Sequence, residues 1–157
     1  MIIFISGSIN AGKTTTGKLL AQKLRAEFLD FDDISHTIPN FDLSKDIPKV
    51  FEKGIIKLNQ LSEEGKDVIV SYVIRHKDYE LLKRSLKAKT FFVTLAPPIK
   101  VAQTNRGRGL SEWERQRIDY HYRTNIANPT FGIIIDNSNL TLEETVDEII
   151  QRLALNT

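Results

Sequence analysis

The 157-residue sequence predicts an α/β fold: a three-layer αβα sandwich on a five-stranded parallel sheet, with a small arginine lid. Three observations carry that expectation. Apolar, β-branched runs recur along the chain with helically spaced segments between them. A glycine-punctuated octapeptide follows the first of these runs directly. A well-marked amphipathic helix closes the chain.

The elements follow in order. Met1 to Ile5 is apolar and long enough for one buried parallel strand, and Thr15 to Arg25 has helical spacing at Leu19, Leu20, Ala21 and Leu24. Glu27 to Phe31 reads as the second strand. A helix over 47–64 places Val50, Ile55, Leu58 and Leu61 on one face. Asp67 to Val73 is the third strand, 77–86 a helix, and Thr90 to Leu95 the fourth strand, closed by Pro97 and Pro98 before a helix near Ile99. Phe131 to Asp136 is the fifth strand. In the last helix Thr141 precedes Glu143 and Glu144 at the positive N-terminal end, with Val146, Ile149, Ile150 and Leu153 as the apolar stripe.

Composition narrows the class. At this length roughly 70% of the unfolded surface can be buried, so residues 1–157 are expected to form one domain. No run approaches the ~20 apolar residues of a membrane span, and the first residues lack the basic region and cleavage site of a signal peptide. The absence of cysteine excludes disulfides and zinc–thiolate sites and suits a cytoplasmic protein, expected as a monomer or small homo-oligomer. A net charge of +2 is too small to mark a nucleic-acid partner.

Gly7-Ser8-Ile9-Asn10-Ala11-Gly12-Lys13-Thr14 matches G-x-x-x-x-G-K-[ST], the phosphate-binding loop, between a strand and a helix as that loop requires. Backbone N–H groups turned inward around a polyphosphate need positions without side chains where the chain bends, which Gly7 and Gly12 supply. Lys13 would neutralise β/γ-phosphate oxygens, the Thr14 hydroxyl would sit on Mg²⁺, and Thr15 continues into the helix N-terminus. A plain glycine turn with Lys13 solvated is the alternative, and the flanking strand argues against it.

Phe28-Leu29-Asp30-Phe31-Asp32-Asp33 places carboxylates at the C-terminal end of the second strand, the edge where open α/β sheets bind ligands. Strand alternation would point Asp30 and Asp32 to one side and Asp33 to the other. One carboxylate can hold water around Mg²⁺ while another accepts the proton of an attacking hydroxyl. Simple capping of a following element is the alternative. Asn105-Arg106-Gly107-Arg108-Gly109 opens a stretch of low apolar content that reads as a mobile lid over about 105–123, with glycines permitting closure. For Arg115 and Arg117 the preferred reading is a solvated helix, with Glu112–Gln116 and Glu114–Arg117 pairs.

On these motifs the chain resembles, over nearly its whole length, the small P-loop kinases of the adenylate-kinase-like group, which includes shikimate, gluconate, adenylylsulfate and chloramphenicol kinases. The resemblance implies Asp32 as base and an acceptor contact, with Asp33 beside it and Asp30 near the metal. It also implies Arg106 and Arg108 over the transferring phosphate, and Asn137, Ser138 and Asn139 near the adenine. The chain departs from these families too. The stretch Val70-Ser71-Tyr72-Val73-Ile74-Arg75 replaces the glycine-rich turn of shikimate kinases, their F-R pair and its shikimate-anchoring arginine are missing, and the gluconate-kinase match at this strand is loose. Arg75 is either an anchor for an anionic acceptor or a surface arginine opening a helix.

No Walker B carboxylate ends the third strand, which leaves Thr14 with Asp30 or Asp32 for the metal and Ser71 for a metal-bound water. His36, His76 and His121 show no metal-ligand spacing; His36 is a candidate for the acceptor pocket, read first as a loop histidine. Trp113 and Tyr120-His121-Tyr122 read as core positions before ligand contacts.

The expected activity is transfer of the γ-phosphate of ATP, with Mg²⁺, to a hydroxyl of a small molecule. Nucleoside monophosphates and polynucleotide 5′-hydroxyls are alternative acceptors. Small polynucleotide kinases resemble this group, but no basic stripe with interleaved aromatics lies outside the lid. A different class is a nucleotide-binding switch with little catalysis, against which stands the lack of an N-K-x-D guanine-reading segment.

Overall fold

The computed structural model describes residues 1–104 and 107–155. Twelve elements follow in order: β1 (Ile2–Gly7), α1 (Lys13–Leu24), β2 (Glu27–Asp30), α2 (Phe31–His36), α3 (Ile47–Glu63), β3 (Val68–Ser71), α4 (His76–Ser85), β4 (Thr90–Leu95), α5 (Ile99–Ala102), α6 (Glu112–Arg123), β5 (Ile133–Ile135) and α7 (Leu142–Arg152). The strands form one parallel sheet in the order β2-β3-β1-β4-β5.

β1 lies at the centre with Ile2, Ile3, Phe4 and Ile5 buried, and its alternation defines the two faces. Ile2 and Phe4, with Val68 and Val70 of β3, pack against Val50, Phe51 and Leu58 of α3 and Leu82 of α4. Ile3 and Ile5 pack with Ile69 and Val93 against Leu20 and Ala21 of α1 and Val146 and Ile149 of α7. Helices therefore cover both faces, as the sequence predicts. α7 opens with a capping box between Thr141 and Glu144, and Ser111 and Glu114 give α6 the same start.

Two expectations change. The second strand stops at Asp30, whose carboxylate accepts from the Asp32 backbone N–H at 3.0 Å, and the chain turns at once into α2. A cap followed by two acidic residues on the first helical turn outcompetes the strand, so Asp30 and Asp32 are not alternate positions of one strand. The fifth strand begins at Ile133, because Gly132 (φ 71°) passes so near Phe92 that a Cβ there would lie 2.5 Å from its carbonyl oxygen. Residues 112–123 form a capped helix, as the reading of Arg115 and Arg117 expects, with Ile118 and His121 buried and the Tyr122 hydroxyl donating to the Pro97 carbonyl.

Candidate active site

At the C-terminal edge of the sheet, a cleft of ≈ 580 Å³ opens between the loop after β1, the start of α2, the end of β3 and α6. Its floor is the loop from Ser8 to Gly12. Gly7 (φ 142°) passes where a Cβ would stand 2.5 Å from the Leu95 carbonyl oxygen, and Asn10 (φ 64°) and Gly12 (φ 94°) are left-handed. These bends shape a concave loop leading into the N-terminus of α1, a ready anion site. Lys13 Nζ folds back to donate to the Ser8 carbonyl at 2.7 Å. Loss of water around the Lys13 ammonium lowers its pKa to about 8, with Asp32 and Asp30 pulling the other way.

Asp30 and Ser71 are register partners on β2 and β3, and the Thr14 hydroxyl stands between them. It donates to Asp30 Oδ2 at 3.1 Å and lies 3.3 Å from Ser71 Oγ. Among the described residues no group of three or more His, Cys, Asp and Glu side chains gathers into a metal cage. The all-oxygen set of Thr14, Asp30 and Ser71 nevertheless fits Mg²⁺, which binds through one or two protein oxygens and completes its octahedron with water and phosphate.

Asp32, on the first turn of α2, faces the cleft. The residue is accessible from the cleft, yet the protein around its carboxyl displaces water and raises its pKa; Asp30 adds to the rise, while Lys13 and His36 oppose it.

The opposite wall is α6. Trp113, Arg117 and His121, spaced four apart on one helical face, all line the cleft, as do Arg75 at the start of α4 and Arg108. Arg108 pairs with Glu114 at 2.7 Å, and this contact, with the Ser111 N–H, draws Glu114 down to about 2. His121 is buried, with Nδ1 3.1 Å from Ser8 Oγ. Burial, then the charges of Arg117, Lys13 and Arg75, hold its imidazole neutral with a pKa of about 4.

Behind the loop a second recess of ≈ 240 Å³ is lined by Thr15, Thr16, Leu140, Leu142 and Thr145, with Asn137 donating to the Ala11 carbonyl at 3.0 Å.

Most expected site residues thus meet. Ile9, Asn10, Gly12, Lys13, Thr14, Thr15, Asp32, Arg75 and Arg108 line the main cleft, and Asp30 touches Thr14. Gly7, Ser8 and Ala11 build the loop from beneath. Asn137 lies at the second recess without Ser138 or Asn139. Asp33, in the first turn of α2, and His36, its last residue, line neither cavity. Arg106 falls outside the described residues. Arg115 ties its helix to the Gln103 carbonyl at 2.8 Å, whereas Arg117 belongs to the cleft rather than to a solvated face. Tyr72 lines the cleft without having been singled out from the sequence, and Trp113 and His121, which read first as core positions, line it too; the four-residue spacing from Trp113 through Arg117 to His121 is the signal that could have found that wall.

Residues 9–154 match the family model of shikimate kinase. A shikimate kinase of Vibrio vulnificus is 29% identical over 160 residues, covering 96% of this chain and 92% of that protein. A Thermococcus kodakarensis protein provisionally named an adenylate kinase is 28% identical over 163 residues, covering 96% and 84%. Among solved structures, a gluconokinase from Sinorhizobium meliloti superposes with a TM-score of 0.73 at 18% identity, covering 97% of this chain and 90% of that one.

Proposed function

The chain belongs to the shikimate kinase family, and from that premise, which makes it a nucleotide-binding phosphotransferase, we propose that it transfers the γ-phosphate of ATP to a hydroxyl of a small molecule. The observation that carries the reading is the cleft that joins Lys13, Thr14 and Asp32, with Asp30 behind Thr14.

The geometry supports a role for each residue. The loop amides and the N-terminus of α1 receive the β- and γ-phosphates, and Lys13 leaves the Ser8 carbonyl to meet their charge. Thr14 and Asp30, with Ser71 beside them, would hold Mg²⁺, which when bound neutralises phosphate charge. Asp32 orients the acceptor hydroxyl and takes its proton; its raised pKa makes it a stronger base than an ordinary carboxylate. Arg108, with Arg106 beyond it in sequence, offsets charge on the transferring oxygens. Asn137 and the recess around it would take the adenine.

Asp32 also bears on the acceptor. A hydroxyl can donate to this carboxylate, whereas the phosphate of a nucleoside monophosphate would meet it with like charge. The nucleotide reading retains support from Arg75 and Arg117, two cationic groups in the cleft, and from the Thermococcus relative.

The test is incubation with Mg-ATP and pooled hydroxyl compounds (sugars, hydroxy acids, phenicols, aminoglycosides, nucleosides, nucleoside monophosphates and an oligonucleotide), with products read by mass spectrometry. A product formed by wild type and lost in Asp32→Asn supports the hydroxyl kinase. A nucleoside diphosphate formed by both proteins supports the second reading.

A further inference from the structure

The contact between Ser8 and His121 fixes more than a loop. Ser8 is fully buried, and the partner of its hydroxyl is His121 Nδ1 at 3.1 Å. A buried hydroxyl must place its proton on an acceptor, and among the described residues Nδ1 is the acceptor within reach. Nδ1 is therefore unprotonated, which puts the ring proton on Nε2.

Among the described residues Nε2 has no hydrogen-bond partner, yet the one buried side-chain nitrogen or oxygen left unpaired among them is Asn137 Oδ1. Nε2 is thus the part of this 2%-exposed residue that reaches the cleft. Arg117 sits one helical turn before His121 on α6, and Arg75 approaches from the start of α4; both charges are felt at the imidazole. Neither arginine has a carboxylate partner among the described residues.

We infer that His121 is an acceptor-binding residue, whose Nε2–H, held in that tautomer by Ser8, donates together with Arg75 and Arg117 to an anionic oxygen, carboxylate or phosphate, of the phosphoryl acceptor. The inference rests on the kinase reading above. The imidazole adds a directional donor without adding a further charge beside Lys13, and it links acceptor recognition on α6 to the second residue of the phosphate loop.

The probes are shikimate, as a carboxylate, and inorganic phosphate, each titrated into protein saturated with Mg²⁺ and a non-hydrolysable ATP analogue so that the phosphate loop is filled. Imidazole nitrogen resonances, assigned through His121→Gln, should show His121 protonated at Nε2 at neutral pH and should shift as the bound probe is added. The dissociation constant of that probe should rise about tenfold in His121→Phe and in Arg117→Gln, and His121→Gln, whose amide can donate from nearly the same place, should recover part of the loss. Affinity for the ATP analogue should stay unchanged in Arg117→Gln, which leaves the Ser8–His121 contact in place. An Nδ1-protonated ring, probe binding indifferent to His121→Phe, or equal loss of analogue and probe would overturn the assignment, the last by showing a purely structural role through Ser8. If the analogue binds and neither anion does, the acceptor assignment is wrong; if the analogue itself does not bind, the kinase reading fails and this inference with it.

Discussion

Asp30 serves two partners at once: one carboxylate oxygen accepts from the Thr14 hydroxyl at 3.1 Å, and the other accepts the Asp32 backbone N–H at 3.0 Å as the cap of α2. The two duties separate by substitution. Asp30→Asn keeps a good capping group, so its melting temperature should stay near wild type, whereas Asp30→Ala should lose about 1 kcal/mol of stability. Both should raise the Mg²⁺ concentration for half-maximal turnover by about tenfold or more, read from metal titrations of the reaction.

Asp32→Asn should lower turnover by roughly 10²–10⁴-fold while leaving nucleotide affinity intact. It should also make the protein more stable at neutral pH. The folded-state pKa of Asp32 is raised, so its ionised form is the one folding disfavours, and the cost is present at pH 7. As pH falls until Asp32 is protonated in both folded and unfolded states, the advantage of the variant should vanish. Thermal unfolding of both proteins across that range checks the sign.

Lys13 gives the alkaline limb. In the free protein its pKa is lowered to about 8, and a neutral amine cannot neutralise phosphate charge. The kcat/KM for ATP should therefore fall as pH rises through about 8, while kcat at saturating ATP should hold to higher pH, because bound phosphate favours the ammonium. Equal limbs in both profiles would assign the titration to another group.

Gly54 of α3 faces the ring of Phe31, where a Cβ would lie 2.3 Å from Cζ. Gly54→Ala should lower stability by about 1–3 kcal/mol, the clash outweighing the roughly 1 kcal/mol gained in helix propensity. Because Phe31 precedes Asp32, turnover should fall as well. Adding Phe31→Leu should restore part of the stability, which denaturant unfolding of the single and double variants would show.

The framework was legible where one physical signal dominated. β4 falls at 90–95 as its apolar run indicates, α7 follows its stripe and cap, and the phosphate loop lies between β1 and α1. The candidate carboxylates Asp30 and Asp32 were found by type but misplaced by geometry, because alternation along a strand was assumed where the Asp30 cap begins a helix. The α6 wall was the hardest to read. Few of its side chains are apolar, and the face carrying Trp113, Arg117 and His121 points to a ligand cleft rather than to a core, so hydrophobic periodicity has little to report there.

Asn10, left-handed within the phosphate loop, reaches with its side-chain amide to the Ala102 carbonyl at 2.9 Å and the Thr104 carbonyl at 2.8 Å, at the end of α5. In sequence, α5 is the element before α6. The phosphate loop and the end of α5 are thereby tied together through one side chain. Asn10→Ala would consequently loosen two segments at once, the loop after β1 and the end of α5.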